Sequence, residues 1–154
     1  MIRFALIGAG RIGQMHAANI VAHDRCGLNW IYDVHAPSSE AVGVKTGAKV
    51  ARDPDEIFDD AEVDAVFVAS STPTHADFIV RSVQSGKAVL CEKPIDLDIA
   101  KVEECKKQIS GAKSLIQIGF NRRFDPGHGQ LVSAVRNSEI GLSLIHISEP
   151  TRPY

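Results

Sequence analysis

The sequence predicts an α/β fold: a doubly wound parallel sheet with helices on both faces. Three observations carry that prediction. Short, nearly pure apolar runs recur at residues 2–7, 28–32, 64–69, 88–91 and 115–118, the pattern of strands buried on both faces. Segments with helical spacing lie between them. Glycines and helix-start residues fall at the joints between the two kinds of segment.

Each element has its own reason. Residues 2–7 form the first expected strand, and residues 11–22 carry helical spacing. Residues 28–32 are apolar again, and residues 38–46 suit a short helix. Asp53-Pro54-Asp55-Glu56 reads as a helix start, with Asp53 as N-cap, proline at the first helical position and Glu56 able to reach back. Residues 64–69 are β-branched and apolar, as a buried strand requires. Thr74-His75-Ala76-Asp77 resembles a capping box, opening a helix that ends near Gly86. Residues 88–91 are the next strand. Residues 98–109 are amphipathic with Lys106 and Lys107 late, where the helix dipole favours cations. Residues 115–118 are a last strand, and Asp125-Pro126 starts a last helix.

Composition narrows the function classes. The chain has 154 residues, 44% of them hydrophobic and 23% charged, which fits a folded domain rather than a disordered one. Its longest apolar runs are far too short to span a bilayer. Met1 runs straight into a strand-like segment, so no signal peptide is expected. A net charge of −2 gives no electrostatic reason to expect nucleic acid or an anionic membrane as partner. Cys26, Cys91 and Cys105 are an odd count without CxxC spacing, which argues against a disulfide framework or zinc site and for a reducing, cytoplasmic setting.

Gly8-Ala9-Gly10-Arg11-Ile12-Gly13 is a GxGxxG sequence placed between the first strand and the first helix. Gly8 permits the tight turn, Gly10 lets a pyrophosphate approach the backbone, and Gly13 lets helix and strand pack closely. The helix start, with Arg11 and Ile12, offers unpaired N–H groups to phosphate. Asp33 ends the second strand twenty residues past Gly13, where a carboxylate accepts both ribose hydroxyls of an adenosine and repels a 2′-phosphate. Val34-His35-Ala36-Pro37 supplies no arginine for such a phosphate. The expected cofactor is therefore NAD, not NADP.

Ligands of open α/β sheets lie beyond the carboxyl ends of the strands. Ser70, Ser71, Thr72 and His75 fall beyond the strand 64–69, and Glu92 and Lys93 beyond the strand 88–91. These are candidate cofactor contacts. His75 is either a ligand contact or an ordinary first-turn histidine. Lys93 is the candidate catalytic group. Beside a cationic nicotinamide its ammonium form is disfavoured, and it can move a hydroxyl proton or hydrogen-bond the oxygen that becomes a ketone. Glu92 either orients that lysine or is a surface carboxylate. Cys91 reads as a small apolar strand residue, not a nucleophile.

Taken together, residues 8–20 (GAGRIGxxHAxNI), the Ser-Thr-Pro-Thr-His segment, CEKPI at 91–95 and GFNRRFDP at 119–126 resemble the glucose–fructose oxidoreductase / inositol dehydrogenase family, over residues 1 to about 141. The resemblance implies a Rossmann domain at 1–120, followed from 121 to 141 by the start of an α+β domain that is otherwise almost wholly missing. It implies NAD-dependent oxidation of a secondary hydroxyl on a cyclic polyol, typically myo-inositol to its 2-keto product, in a homotetramer. It makes Lys93 the partner of an Asp-x-x-x-His pair whose histidine is the general base, and it places Arg122 near cofactor and substrate. Asn121 and Arg123 are weaker candidates, equally suited to a surface or inter-strand role.

The sequence departs from the family in two places. No aspartate has a histidine four residues later, since Asp125 and His128 are three apart. Residues 142–154 read as the in-frame translation of a transposase sequencing adapter and are set aside from the fold as a scar. The fragment is accordingly expected to be inactive alone. The alternatives are another sugar dehydrogenase of the same family, or a non-catalytic NAD-binding sensor or repressor.

Overall fold

In the computed structural model, which describes residues 1–139, strands and helices alternate along the chain. The order is β1 (Ile2–Ile7), α1 (Arg11–Val21), β2 (Cys26–Tyr32), α2 (Ala36–Thr46), β3 (Lys49–Val50), α3 (Asp55–Asp59), β4 (Ala65–Val68), α4 (His75–Gln84), β5 (Ala88–Cys91), α5 (Ile99–Gln108), β6 (Ile116–Ile118) and α6 (Pro126–Arg136). The expectation for 142–154 lies outside the described residues. The chain divides into two compact units, Met1–Gly119 and a second one that begins at Phe120.

The first unit holds one six-stranded sheet in the order β3-β2-β1-β4-β5-β6, with every pair parallel. The strand order reverses between β1 and β4, so the loops after these two strands diverge and leave a crevice at the carboxyl edge. Alternate side chains fill two cores. Ala5, Ile7, Val66 and Val68 pack on one face with Ile57, Ile79 and Val83. Leu6, Ile31 and Phe67 pack on the other with Ala17, Ile20 and Val42. Leu6, Ile7, Ile31 and Val66 are fully buried, each worth about 1.5–3 kcal/mol relative to an exposed side chain. The expected doubly wound sheet is thus the observed one.

β2 carries an irregularity. Its pairing with β1 runs Phe4 to Leu28 and then Ala5 to Trp30, leaving Asn29 bulged out. Leu28 and Trp30 are two apart and would share a face in a regular strand. They pack instead against opposite cores. Trp30 Nε1 donates to Asp60 Oδ2 at 2.6 Å, fixing the indole.

Local signals work where short-range bonds decide. Glu56 Oε1 accepts from Arg52 N and Asp53 N at 2.8 and 3.0 Å, closing the predicted start of α3. Asp98 caps α5 through Ala100 N, and Asp125 caps α6 through His128 N. The capping box expected at Thr74 does not form. A 3₁₀ turn, Thr72–Thr74, precedes α4, and Thr74 Oγ1 donates back to the Ser71 carbonyl at 2.8 Å. In the second unit, Arg122 Nη1 donates to His128 Nε2 at 3.1 Å, and His128 Nδ1 donates to Asp125 Oδ1 at 3.0 Å. These bonds hold the Asp125 carboxyl below its usual range, the backbone N–H of His128 contributing most. Among the described residues no helix is long and apolar enough to cross a membrane.

Candidate active site at the carboxyl edge of the sheet

The turn after β1 is defined by what its glycines exclude. Gly8 has φ +103°, and a Cβ there would lie 2.5 Å from the Ala69 carbonyl and the Ser70 nitrogen. A Cβ on Gly13 would lie 1.9 Å from the Gly8 carbonyl oxygen, so α1 rests directly on the turn. Gly10 differs, because a Cβ there would meet nothing within 4 Å. The backbone at Gly10 faces open space at the start of α1. No side chain caps α1, and no acidic residue lies in its first turn. Its leading N–H groups are left for an anion.

Asp33 is fixed against this turn. Its Oδ2 accepts from Ala9 N at 2.6 Å and its Oδ1 from His35 N at 2.8 Å. A cleft of about 390 Å³ opens here, lined among others by Gly8, Gly10, Asp33, Ser70, Ser71 and Thr74. These residues come from the loops after β1, β2 and β4. Arg11 and Ile12 are exposed beside Gly10 on α1. Thr72 is half-buried in the 3₁₀ turn and is not part of the cleft lining.

His75 is not in the cleft, so its expected role as a cofactor contact is corrected. It is 2% exposed. Nδ1 lies 2.7 Å from the Pro94 carbonyl oxygen and Nε2 lies 2.9 Å from that of Ser70. The ring ties the loop after β4 to the loop after β5, the packed first-turn histidine of the second reading.

β5 ends at Cys91, which is fully buried. Burial, with Glu92 adding to it, pushes its thiol up to about 12, which fits an inert strand residue. Lys93 is exposed, and the peptide bond to Pro94 is cis. Glu92 is engaged elsewhere than at the Lys93 ammonium. Its Oε1 pairs with His16 Nε2 at 3.0 Å, while Oε2 accepts from the Lys93 backbone N–H at 3.3 Å. His16 lies on α1 with its ring 4.1 Å from that of Phe67. The sequence reading passed over His16, although it sits inside the 8–20 motif, three residues past Gly13. Arg122 belongs to the second unit.

An uncapped helix start, a backbone open at Gly10 and a fixed carboxylate at the end of β2 fit a dinucleotide. The comparisons agree. Residues 2–120 match the model of an oxidoreductase family with an NAD-binding Rossmann fold. The chain is 41% identical over 140 residues to an inositol 2-dehydrogenase of Rhizobium meliloti, covering 91% of this chain and 42% of that protein. A myo-inositol dehydrogenase structure from Corynebacterium glutamicum superposes with a TM-score of 0.83 at 44% identity, over 92% of this chain and 43% of that one. A scyllo-inositol dehydrogenase structure from Lactobacillus casei, with NAD(H) and scyllo-inositol bound, gives 0.85 at 32% identity, over 92% and 42%. The chain thus spans about 42% of the length of these relatives. The glycine turn, the sheet order and the match over residues 2–120 lead to one assignment: the chain belongs to the GFO/IDH/MocA oxidoreductase family, with its NAD-binding Rossmann fold.

Proposed function

We propose that this chain is the cofactor-binding part of an NAD-dependent dehydrogenase that oxidises a secondary hydroxyl of a cyclic polyol, with myo-inositol as the first candidate. One arrangement carries the reading. The open start of α1 and the fixed Asp33 carboxylate lie at the switch point, and an exposed lysine, Lys93, stands at the carboxyl end of β5. The inositol dehydrogenases among the relatives support the substrate class.

In this reading Gly10, Arg11, Ile12 and Gly13 offer backbone N–H groups to the pyrophosphate, while Gly8, whose own N–H donates to the Tyr32 carbonyl, shapes the turn. Asp33 accepts the adenosine ribose hydroxyls. Ser70, Ser71 and Thr72 border the site. When bound, NAD supplies the hydride acceptor. Lys93 Nζ is the catalytic group on this chain: it hydrogen-bonds the substrate oxygen and stabilises it as the carbonyl forms. Residues 121–141 open the substrate domain, in which Arg122 is the candidate cation. The general base belongs to an Asp-x-x-x-His pair further along the gene. The whole protein is a cytoplasmic homotetramer, and this chain alone turns over no inositol.

Two measurements test this. Titration should show NAD binding in preference to NADP. Sequencing of the source gene past the codon for Gly141 should reveal the Asp-x-x-x-His pair. A frame that stops at Tyr154 removes the dehydrogenase and leaves a nucleotide-binding module.

A further inference from the structure

Lys93 has a carboxylate as its nearest sequence neighbour, and Glu92 already reaches the Lys93 backbone N–H with Oε2. A free glutamate there would swing onto the lysine ammonium. The other oxygen prevents this, because Oε1 is engaged by His16 Nε2 at 3.0 Å. The two partners are about equally shielded, with side-chain exposures of 20% and 22%. His16 is itself immobilised, with its ring against Phe67 across from the first turns of α1. Gly119 closes the far side, since a Cβ there would stand 3.4 Å from the Glu92 carboxylate. The lysine ion pairs among the described residues involve Lys101, Lys106 and Lys107, and Lys93 forms none.

We propose that His16 is a positioning residue that acts through Glu92: it holds the carboxylate off Lys93 and so keeps Lys93 Nζ unpaired and available. The proposal rests on the reading of Lys93 as the group that meets substrate. It adds a link between the phosphate-binding helix and the end of β5. If His16 is lost, Glu92 rotates onto Lys93 Nζ and pairs with it.

The test reads the amine directly on this chain, without cofactor or polyol. Trace acetylation with acetic anhydride, followed by peptide mass spectrometry, gives the rate at Lys93 relative to exposed Lys113. His16→Phe keeps a ring against Phe67 and removes the donor. It should slow Lys93 relative to Lys113 by about two- to fivefold, the range an exposed ion pair supports. His16→Gln, which keeps a donor, should retain the wild-type ratio. The double variant His16→Phe/Glu92→Gln should return to that ratio, because a neutral amide cannot pair with the ammonium. A purely structural histidine would give no such rescue. An unchanged ratio in folded His16→Phe, or a double variant as slow as the single one, overturns the proposal. If His16→Phe does not fold, as judged by Trp30 fluorescence, His16→Leu carries the same expectation. NAD titration of the wild-type chain tests the underlying cofactor reading separately, so the two can fail independently.

Discussion

The three glycines of the turn have different duties, and alanine at each should separate them. At Gly13 a new methyl would stand 1.9 Å from the Gly8 carbonyl oxygen, more than 1 Å inside the 3.0 Å that real Cβ contacts respect. The obstacle is backbone on both sides, so α1 must lift off the turn. Overpacking of a rigid site costs about 1–3 kcal/mol, and a clash this deep belongs at the upper end. A loss of about 3 kcal/mol lowers the melting temperature of a domain near 100 residues by roughly 12 °C or more. At Gly10 the same methyl meets nothing within 4 Å, and φ is −68°, which alanine adopts freely. The lower entropy of the unfolded chain offsets the poorer N-cap, so stability should change by less than about 1 kcal/mol. The Gly10 methyl does project where a pyrophosphate must approach, and NAD affinity should fall at least tenfold, or about 1.4 kcal/mol. Thermal unfolding by circular dichroism and NAD titration by calorimetry read the two effects. The reasoning fails if Gly10→Ala melts as early as Gly13→Ala, or if it binds NAD as tightly as the wild-type chain.

Three further outcomes follow from the geometry. Asp33→Ser removes the carboxylate proposed to accept the ribose hydroxyls and to repel a 2′-phosphate, so the ratio of NAD to NADP affinity should drop by about tenfold or more in competitive titration. The bidentate Arg3–Asp64 pair, with the Arg3 backbone N–H also on the carboxylate, holds the Asp64 carboxyl well below its usual range. Its stabilisation is therefore present above about pH 3.9 and is lost as the pH falls below that value. Asp64→Asn should narrow the difference in melting temperature between pH 7 and pH 3, and an unchanged difference would count against the pair. Iodoacetamide at pH 8 should modify half-buried Cys26 first and leave Cys91 untouched until the chain unfolds, as peptide mapping will show.

Strand runs and the glycine turn were legible in the sequence because they depend on nearest neighbours and on period. So were the helix starts at Asp98 and Asp125, whose side chains close over two or three residues. What escaped was set by tertiary contact. β3 is two residues long and exists only because it finds the edge of β2. Thr74 has the composition of an N-cap, but the preceding 3₁₀ turn draws its hydroxyl to Ser71. His75 looks like a ligand residue by position and is buried because two loop carbonyls converge on its ring. His16 and Glu92 stand 76 residues apart, and no spacing rule joins them.

The bulge at Asn29 sets the phase of everything downstream on β2. Up to Leu28 the even-numbered residues of β2 face the core of Leu6, and beyond Asn29 the odd-numbered ones do, so that both halves of the strand stay in step with β1. Asp33 inherits the second phase, which is the one that brings its carboxylate to Ala9. Were Asn29 drawn into the regular ladder, every motif would stay intact on paper and each later residue of β2 would slip by one pairing. In space that slip would turn the register over and send the Asp33 carboxylate to the far side of the sheet. The seat of the Asp33 carboxylate beside the glycine turn thus hangs on parity: one extra residue, four positions earlier in the strand.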